Sequence, residues 1–135
     1  MSKVVKAFPP NYEEICAAIP AVRKNKHIVF TYGDTIYSPS NTELRPDFLE
    51  HEETHVKRQS DPVAWWARYL TDVQFRLDEE LAAYRAQYQY AVEHYSRADR
   101  RALLTGMTKD LSGAMYGKLV TRKEAIALIT QGGKI

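Results

Sequence analysis

Hydrophobic positions along the chain change between helical and strand-like spacing, and this pattern predicts the order of elements. Within residues 11–24, apolar side chains recur three or four positions apart, which predicts a short helix that breaks at Pro20. Residues 26–38 are instead rich in β-branched and aromatic side chains, with Gly33 and Asp34 between the two runs. These features predict a β-hairpin whose turn lies at Gly33 and Asp34.

Helical patterns dominate the rest of the chain. Pro46 suits the first turn of a helix over residues 46–59, because the missing N–H of proline costs nothing there. Ser60-Asp61-Pro62 interrupts that helix and caps a second one. Residues 72–95 contain neither glycine nor proline, which predicts one long helix. The second helix carries large apolar side chains toward a core, namely Val63, Trp65, Trp66, Tyr69 and Leu70.

Two later segments have the side chains of helix starts. Residues 96–99 and 121–124 resemble capping boxes, and the second opens a short apolar helix that ends at Ile129. A loop-rich stretch between these starts is indicated by Gly106, Gly113 and Gly117. The elements predict an α+β, mainly helical fold, and the length of the chain predicts a single domain over residues 1–135.

Composition and charge exclude several classes of function. The chain is 44% hydrophobic and 27% charged, as globular proteins are. Its 19 basic and 17 acidic residues give a net charge of +2, too even for a basic face, so nucleic acid is not an expected partner. Cys16 is the only cysteine, which excludes an intrachain disulfide and a cysteine-based metal site. Without a membrane-spanning or signal-like apolar stretch, we expect no membrane partner and a cytoplasmic location.

The segment His51-Glu52-Glu53-Thr54-His55 carries the candidate chemistry. Positions four apart on a helix differ by about 40° in azimuth, so His51 and His55 project from one face and can reach one ion. Glu52 lies about 60° from His55 and borders that ion, whereas Glu53 lies on the far side. In the H-E-x-x-H motif the two imidazoles bind Zn²⁺ and the first glutamate acts as general base. With this composition the motif arises by chance in roughly one chain in a hundred. The alternative to a metal site is that His51 and His55 are ordinary histidines on the surface of a helix.

Glu80 is the acidic residue of the long helix that we predict to be the third ligand. Its neighbours three, four and seven positions later, Ala83, Tyr84 and Gln87, form a face with a small residue and polar groups. The alternative is that Glu80 is a solvated charge within an acidic run.

Other residues of the same helix fit the site less well than Glu80. Asp78 and Glu79 lie about 200° and 100° around the helix axis from Glu80 and are expected to face elsewhere. His94 has nearly the azimuth of Glu80 but lies roughly 21 Å along the axis, too far to complete the same site.

The motif and the glutamate at position 80, followed by Leu81-Ala82-Ala83-Tyr84, resemble the gluzincin arrangement of zinc metallopeptidases. Over about residues 27–90 the chain looks more like minimal metallopeptidase-like proteins of phage and prophage genomes. The similar features are the hairpin, Tyr37-Ser38-Pro39, Gln59 on the motif helix, and the segment from Phe75-Arg76 through Tyr84-Arg85-Ala86-Gln87. The resemblance implies a minimal zincin-like domain with Zn²⁺ as cofactor, Glu80 as third ligand and Glu52 as catalytic base. It also implies that the strand near 35–38 is the edge along which a peptide lies. Many gluzincins have an aspartate where this chain has Tyr84. For a phage-encoded protein, association with the virion or host cell is an alternative location.

The expected reaction is hydrolysis of a peptide bond in a protein or peptide substrate. Three protein ligands leave one position of a zinc ion open for water, and Glu52 takes the proton of that water and returns it to the leaving amine. A further donor is expected to stabilise the oxyanion, and the candidates are Tyr84, Tyr37 and Tyr116. Tyr84 is alternatively a supporting residue behind a metal ligand.

Two other functions compete with the peptidase hypothesis. The first is a zinc-stabilised structural or partner-binding module, for example of a phage particle, that keeps the ligands without turnover. The second is an endopeptidase that cleaves peptidoglycan crosslinks. The presence of Glu52 favours catalysis over the first, because a structural zinc site needs no general base.

Overall fold

The computed structural model describes residues 2–40 and 43–133. These residues form a three-stranded sheet of β1 (Lys3–Val5), β2 (Phe30–Tyr32) and β3 (Thr35–Tyr37). They also form six helices: α1 (Tyr12–Ala18), α2 (Pro46–Arg58), α3 (Pro62–Thr71), α4 (Val73–His94), α5 (Arg97–Leu111) and α6 (Arg122–Thr130), with 3₁₀ turns at Pro20–Lys24 and Ala114–Tyr116. The predicted α+β, mainly helical fold class is confirmed.

The strands lie in the order β1-β3-β2, with β1 parallel and β2 antiparallel to β3. The predicted hairpin is present, and Gly33 in its turn has a φ of +65°, a conformation that glycine adopts without strain. Because β1 also pairs with it, β3 is the central strand. The expectation that the strand near 35–38 forms an edge is therefore wrong, and β1 and β2 are the outer strands of this sheet.

Capping side chains begin most of the predicted helices. Asp61 accepts a hydrogen bond from the backbone N–H of Ala64 at the start of α3, and Asp72 caps α4 in the same way. Thr121 and Glu124 form the predicted reciprocal capping box at α6. Because these contacts join residues three positions apart, sequence alone places the starts of α3, α4 and α6 well.

Two expectations about the helices are corrected. Gly106 lies inside α5, because burial of Leu104, Met107 and Leu111 on that helix outweighs the cost of about 1 kcal/mol for a helical glycine. Val63 is 70% exposed, since it occupies the outer face of the first turn of α3.

Helix α4 lies at the centre of the fold and contacts α2, α3, α5 and α6. One hydrophobic cluster joins it to α5 and α6, and a second lies between α1, β2 and α3. The middle of α4 therefore faces the middle of α2, which carries the histidine motif. No helix in residues 2–40 and 43–133 is both long and apolar enough to span a membrane.

Candidate metal centre

Helix α2 directs His51, Glu52 and His55 into the interior, where each is at most 4% exposed. One ligand atom from each of the three lies within 4.8 Å of the others. This separation is small enough for the group to hold a metal ion. The helical spacing predicted from the sequence therefore brings the three side chains together.

Glu80 approaches the same point from α4. Its Oε1 lies 3.0 Å from Nε2 of His51 and 3.2 Å from Nε2 of His55. Two atoms bound about 2.0–2.1 Å from a tetrahedral zinc ion are about 3.3 Å apart, so both distances to Oε1 of Glu80 are close to those that a shared ion would require. The carboxylate of Glu52 stands slightly farther away, at 3.9 Å from Nε2 of His51. Glu80 is buried, which excludes the alternative of a solvated charge.

The acidic neighbours of Glu80 face elsewhere, as the helical azimuths predict. Asp78 is exposed and accepts a hydrogen bond from Gln74. Glu79 is buried but accepts hydrogen bonds from the guanidinium of Arg58 and, at 2.8 Å, from the indole N–H of Trp65. Glu79 therefore joins α4 to α2 and α3.

A hydrogen-bonded chain behind His51 determines which of its ring nitrogens carries a proton. The side-chain NH₂ of Gln87 donates to Asp47 at 2.8 Å, and a carboxylate accepts only. The amide oxygen of Gln87 therefore faces Nδ1 of His51, at 2.9 Å. Because that oxygen accepts, Nδ1 carries the proton and a neutral His51 presents its Nε2 lone pair to Glu80.

Asp47 is fully buried and ties this chain to two further elements. It accepts hydrogen bonds from the hydroxyl of Tyr95 at 2.7 Å and from the guanidinium of Arg45. Burial by itself would raise the pKa of Asp47, but hydrogen bonds from Gln87, Tyr95 and Arg45 bring the pKa below its ordinary value. Asp47 is thus a charged anchor for Gln87.

Other side chains support the site without pointing a charge at it. The hydroxyl of Tyr69 donates to Oε2 of Glu80 at 2.7 Å. The ring of Tyr84 packs edge-on against the ring of His51, with centroids 4.7 Å apart. Nδ1 of His55 is buried without a hydrogen-bond partner in the described part of the chain. In the described chain, His51 is therefore the one of the two imidazoles that has a hydrogen-bond partner at Nδ1.

Burial separates the acid strengths of the two central carboxyl groups. Loss of solvent raises the pKa of Glu52 to about 8, and the negative charge of Glu80 acts in the same direction. Burial also acts to raise the pKa of Glu80, but the neighbouring imidazoles of His55 and His51 hold it well below its usual range. Glu80 is therefore a charged carboxylate that could serve as a metal ligand, whereas Glu52 readily holds a proton in the metal-free protein.

Two of the three tyrosines considered for the oxyanion lie at the site. Tyr84 and Tyr116 line the same cavity as the histidines, whereas Tyr37 lies on β3 and is absent from that lining. Burial raises the pKa of both Tyr84 and Tyr116 well above the ordinary value, so each keeps its proton as a donor.

The outer side of β2 is occupied by side chains from α2 and α3. Gln59 and the indole of Trp66 both donate to the backbone carbonyl of Thr31, each at 3.0 Å. The oxygen of Gln59 also accepts from the backbone N–H of Gly33. In an antiparallel pair, residues alternately direct their backbone groups toward and away from the partner, and Thr31 directs its carbonyl away from β3. A peptide pairing with this edge would have to displace both donors.

Sequence reasoning recognised Gln87 only as part of a polar helix face, and it did not connect Asp47 with the site. The signal available for Gln87 was its spacing of seven residues from Glu80, which places both on one face of α4. No comparable signal existed for Asp47 or Tyr69, because their contacts cross between helices.

Replacing Gln87 with leucine should weaken metal binding at this site by about 10–100-fold, because Nδ1 of His51 loses its hydrogen-bond acceptor. Titration against a fluorescent zinc chelator measures the change. The matched control is Gln89→Leu, since Gln89 lies on the same helix but is exposed and bonds to Glu93. Equal affinities of the two variants would contradict the role given to Gln87.

The buried Glu52 predicts a pH dependence of the metal-free protein. The pKa of Glu52 is about 8 in the folded protein, and its ordinary value of 4.5 applies to the unfolded chain. Between pH 4.5 and pH 8 the folded chain therefore keeps a proton on Glu52 that the unfolded chain has lost. Stability should therefore fall as pH rises through this window, by at most about 1.4 kcal/mol per pH unit. Urea unfolding in the presence of a chelator should show a shallower fall for Glu52→Gln, which has no proton to lose. Identical slopes would contradict this assignment.

Comparisons of the chain with protein-family models, with curated proteins and with solved structures found no match. The arrangement of His51, Glu52, His55 and Glu80 within this chain is therefore the basis for its functional interpretation.

Proposed function

We propose that this chain is a zinc-dependent peptidase of the gluzincin type, with the ion held by His51, His55 and Glu80. The observation that carries the proposal is the meeting of Glu80 Oε1 with Nε2 of both histidines, at 3.0 and 3.2 Å. Glu52 stands beside this group as the general base.

The need for a cation follows from the hydrogen bonds of His51. With its proton on Nδ1, neutral His51 directs a lone pair at a carboxylate oxygen only 3.0 Å away. Two buried acceptors repel each other unless a positive charge lies between them. A metal ion supplies that charge.

The donor set favours zinc. Two imidazole nitrogens and one carboxylate oxygen are the three protein ligands found in many catalytic zinc sites, which keep the fourth position open. A structural zinc site usually fills all four positions with protein. In the described part of the chain, Cys16 lies in α1 and is no part of the group.

The proposed mechanism gives Glu52 both proton-transfer steps. The chemistry that a bound Zn²⁺ supplies is activation of a water and polarisation of the substrate carbonyl. Glu52 accepts the proton of the attacking water and passes it to the leaving amine. The Thr31 hydroxyl, 3.5 Å from Oε1 of Glu52, helps to orient the carboxyl group.

The second candidate, a zinc-stabilised module without turnover, is favoured by the burial of the site. His51, Glu52, His55 and Glu80 are all at most 7% exposed, and the cavity that they line is about 170 Å³. Sites that take up drug-sized ligands are typically about 300–1,000 Å³. An extended peptide does not fit in the cavity as it stands.

Metal analysis combined with a cleavage screen separates the two candidates. Purified protein should contain one zinc ion, and it should cleave members of a broad peptide library that includes peptidoglycan crosslink peptides. The Glu52→Gln variant is the comparison, because it keeps the three proposed ligands. One bound zinc without cleavage above this variant would reject the peptidase and leave the structural module.

A further inference from the structure

The proposed catalytic site is enclosed by a short segment near the N-terminus. Residues 12–24, which we call the cover, comprise α1 and the following 3₁₀ turn. Three of its side chains, Ile15, Ile19 and Val22, line the same cavity as His51 and His55. The cover therefore forms one wall of the chamber in which the metal ligands meet.

The cover is attached to the rest of the fold by apolar contacts. Its buried side chains pack against Phe30 of β2 and against aromatic residues of α3, including Trp65 and Trp66. Within residues 2–40 and 43–133, its hydrogen bonds stay among residues 9–25, as between Arg23 and Glu13. Its hydrogen bonds outside the cover reach only the adjacent residues Pro9, Asn11 and Asn25, so opening need break no hydrogen bond to the sheet or to α2–α6 in the described chain.

The base of the cover contains a buried polar group without a partner. Both side-chain atoms of Asn11, which immediately precedes α1, are buried and lack hydrogen bonds in the described part of the chain. An unsatisfied buried amide costs free energy that exposure to water recovers. Asn11 therefore lowers the cost of lifting the cover.

The other side of the chamber is less suited to opening. A larger cleft of about 630 Å³ between α2 and α5 shares Phe48 and Tyr84 with the chamber as a common wall. Both rings pack directly on His51, with centroids 5.6 and 4.7 Å away. Movement of this wall would disturb a proposed metal ligand, whereas movement of the cover leaves all three ligands in place.

We propose that the cover is an autoinhibitory element, which must lift from α3 and β2 before a polypeptide substrate can reach the site. With the cover in place the cavity has a volume of about 170 Å³, below the range of about 300–1,000 Å³ typical of ligand sites, and lifting the cover removes one of its walls. This inference rests on the proposed function for its metal and its substrate. Its test uses zinc release and thiol labelling, which need no peptidase activity.

Cys16 provides a built-in reporter of cover opening. It is the only cysteine of the chain, lies in the cover and is 5% exposed. Two rates are measured on the zinc-loaded full chain: labelling of Cys16 by Ellman's reagent, relative to the denatured chain, and zinc transfer to excess pyridylazoresorcinol. Ile15→Ala removes a contact of the cover and should raise both rates together, by at least about tenfold.

The matched control is Ile129→Ala. Ile15 and Ile129 are each 2% exposed, but Ile129 belongs to the other hydrophobic cluster, on α6. It should change both rates by less than about twofold if opening is local. Equal effects of the two variants, a rise in labelling without a rise in zinc release, or no rise in Ile15→Ala would each overturn the proposal. If Ile15→Ala does not fold, Val22→Ala makes a smaller deletion in the same wall.

Discussion

Replacing Glu52 with glutamine should lower the rate of peptide hydrolysis by about 10²–10⁴-fold while one zinc ion stays bound. Glutamine keeps the size of the side chain and its contact with Thr31, but it cannot accept the proton of the attacking water. The loss should fall on kcat, because proton transfer belongs to the chemical step. Steady-state kinetics on a peptide found in the library screen, with zinc measured on the same sample, gives both quantities.

The matched control for this variant is Glu53→Gln. Glu53 is the adjacent acid of α2, but it accepts a hydrogen bond from the backbone of Ser2 on another face of the helix. Glu53→Gln should therefore keep nearly full activity. A Glu52→Gln protein that still turns over at the wild-type rate would show that another group is the base.

Replacing Glu80 with glutamine should weaken zinc binding by more than the 10–100-fold expected for an outer hydrogen bond, because a charged ligand is lost. The neutral side chain also removes the negative charge that would balance a bound ion beside His51 and His55. Zinc should consequently raise the melting temperature of the wild-type chain but not that of the variant at the same zinc concentration. Thermal unfolding with and without added zinc measures this difference.

Two neighbouring substitutions serve as controls for Glu80. Asp78→Asn changes an exposed residue and should leave both stability and zinc affinity unchanged within error. Glu79→Gln weakens the contacts with Arg58 and Trp65, so it should lower stability by about 1–3 kcal/mol while the folded protein still binds zinc. If Glu79→Gln removed zinc and Glu80→Gln did not, the assignment of the third ligand would be wrong.

Glu79 and Glu80 show which features of the site helical geometry predicts and which it does not. Azimuth alone predicted that Glu79 and Glu80 point in different directions, and the structure agrees. Azimuth did not predict that Glu79 is buried, because its burial depends on Arg58 and Trp65, which lie on other helices. Helical periodicity therefore predicted that the two glutamates face different directions, but their hydrogen-bond partners depend on how the helices pack against each other.

What the sequence by itself determined is local. The pairing of His51 with His55 on one face of α2 follows from helical periodicity, and the starts of α3, α4 and α6 follow from capping side chains three positions away. The hairpin around Gly33 follows from strand propensity and a turn of two residues. Each of these features needs only contacts between residues close together in the chain.

What only the tertiary structure decided depends on residues that are distant in sequence. The central position of β3 requires β1, a three-residue strand whose pairing partner lies about 30 positions later. The proton position on His51 depends on Gln87 and, through it, on Asp47, 40 residues earlier. The cavity wall formed by residues 12–24 requires the packing of these residues against α3. Sequence periodicity assigns a side chain to one face of its helix or strand, whereas the packing of the whole chain decides which other element contacts that face.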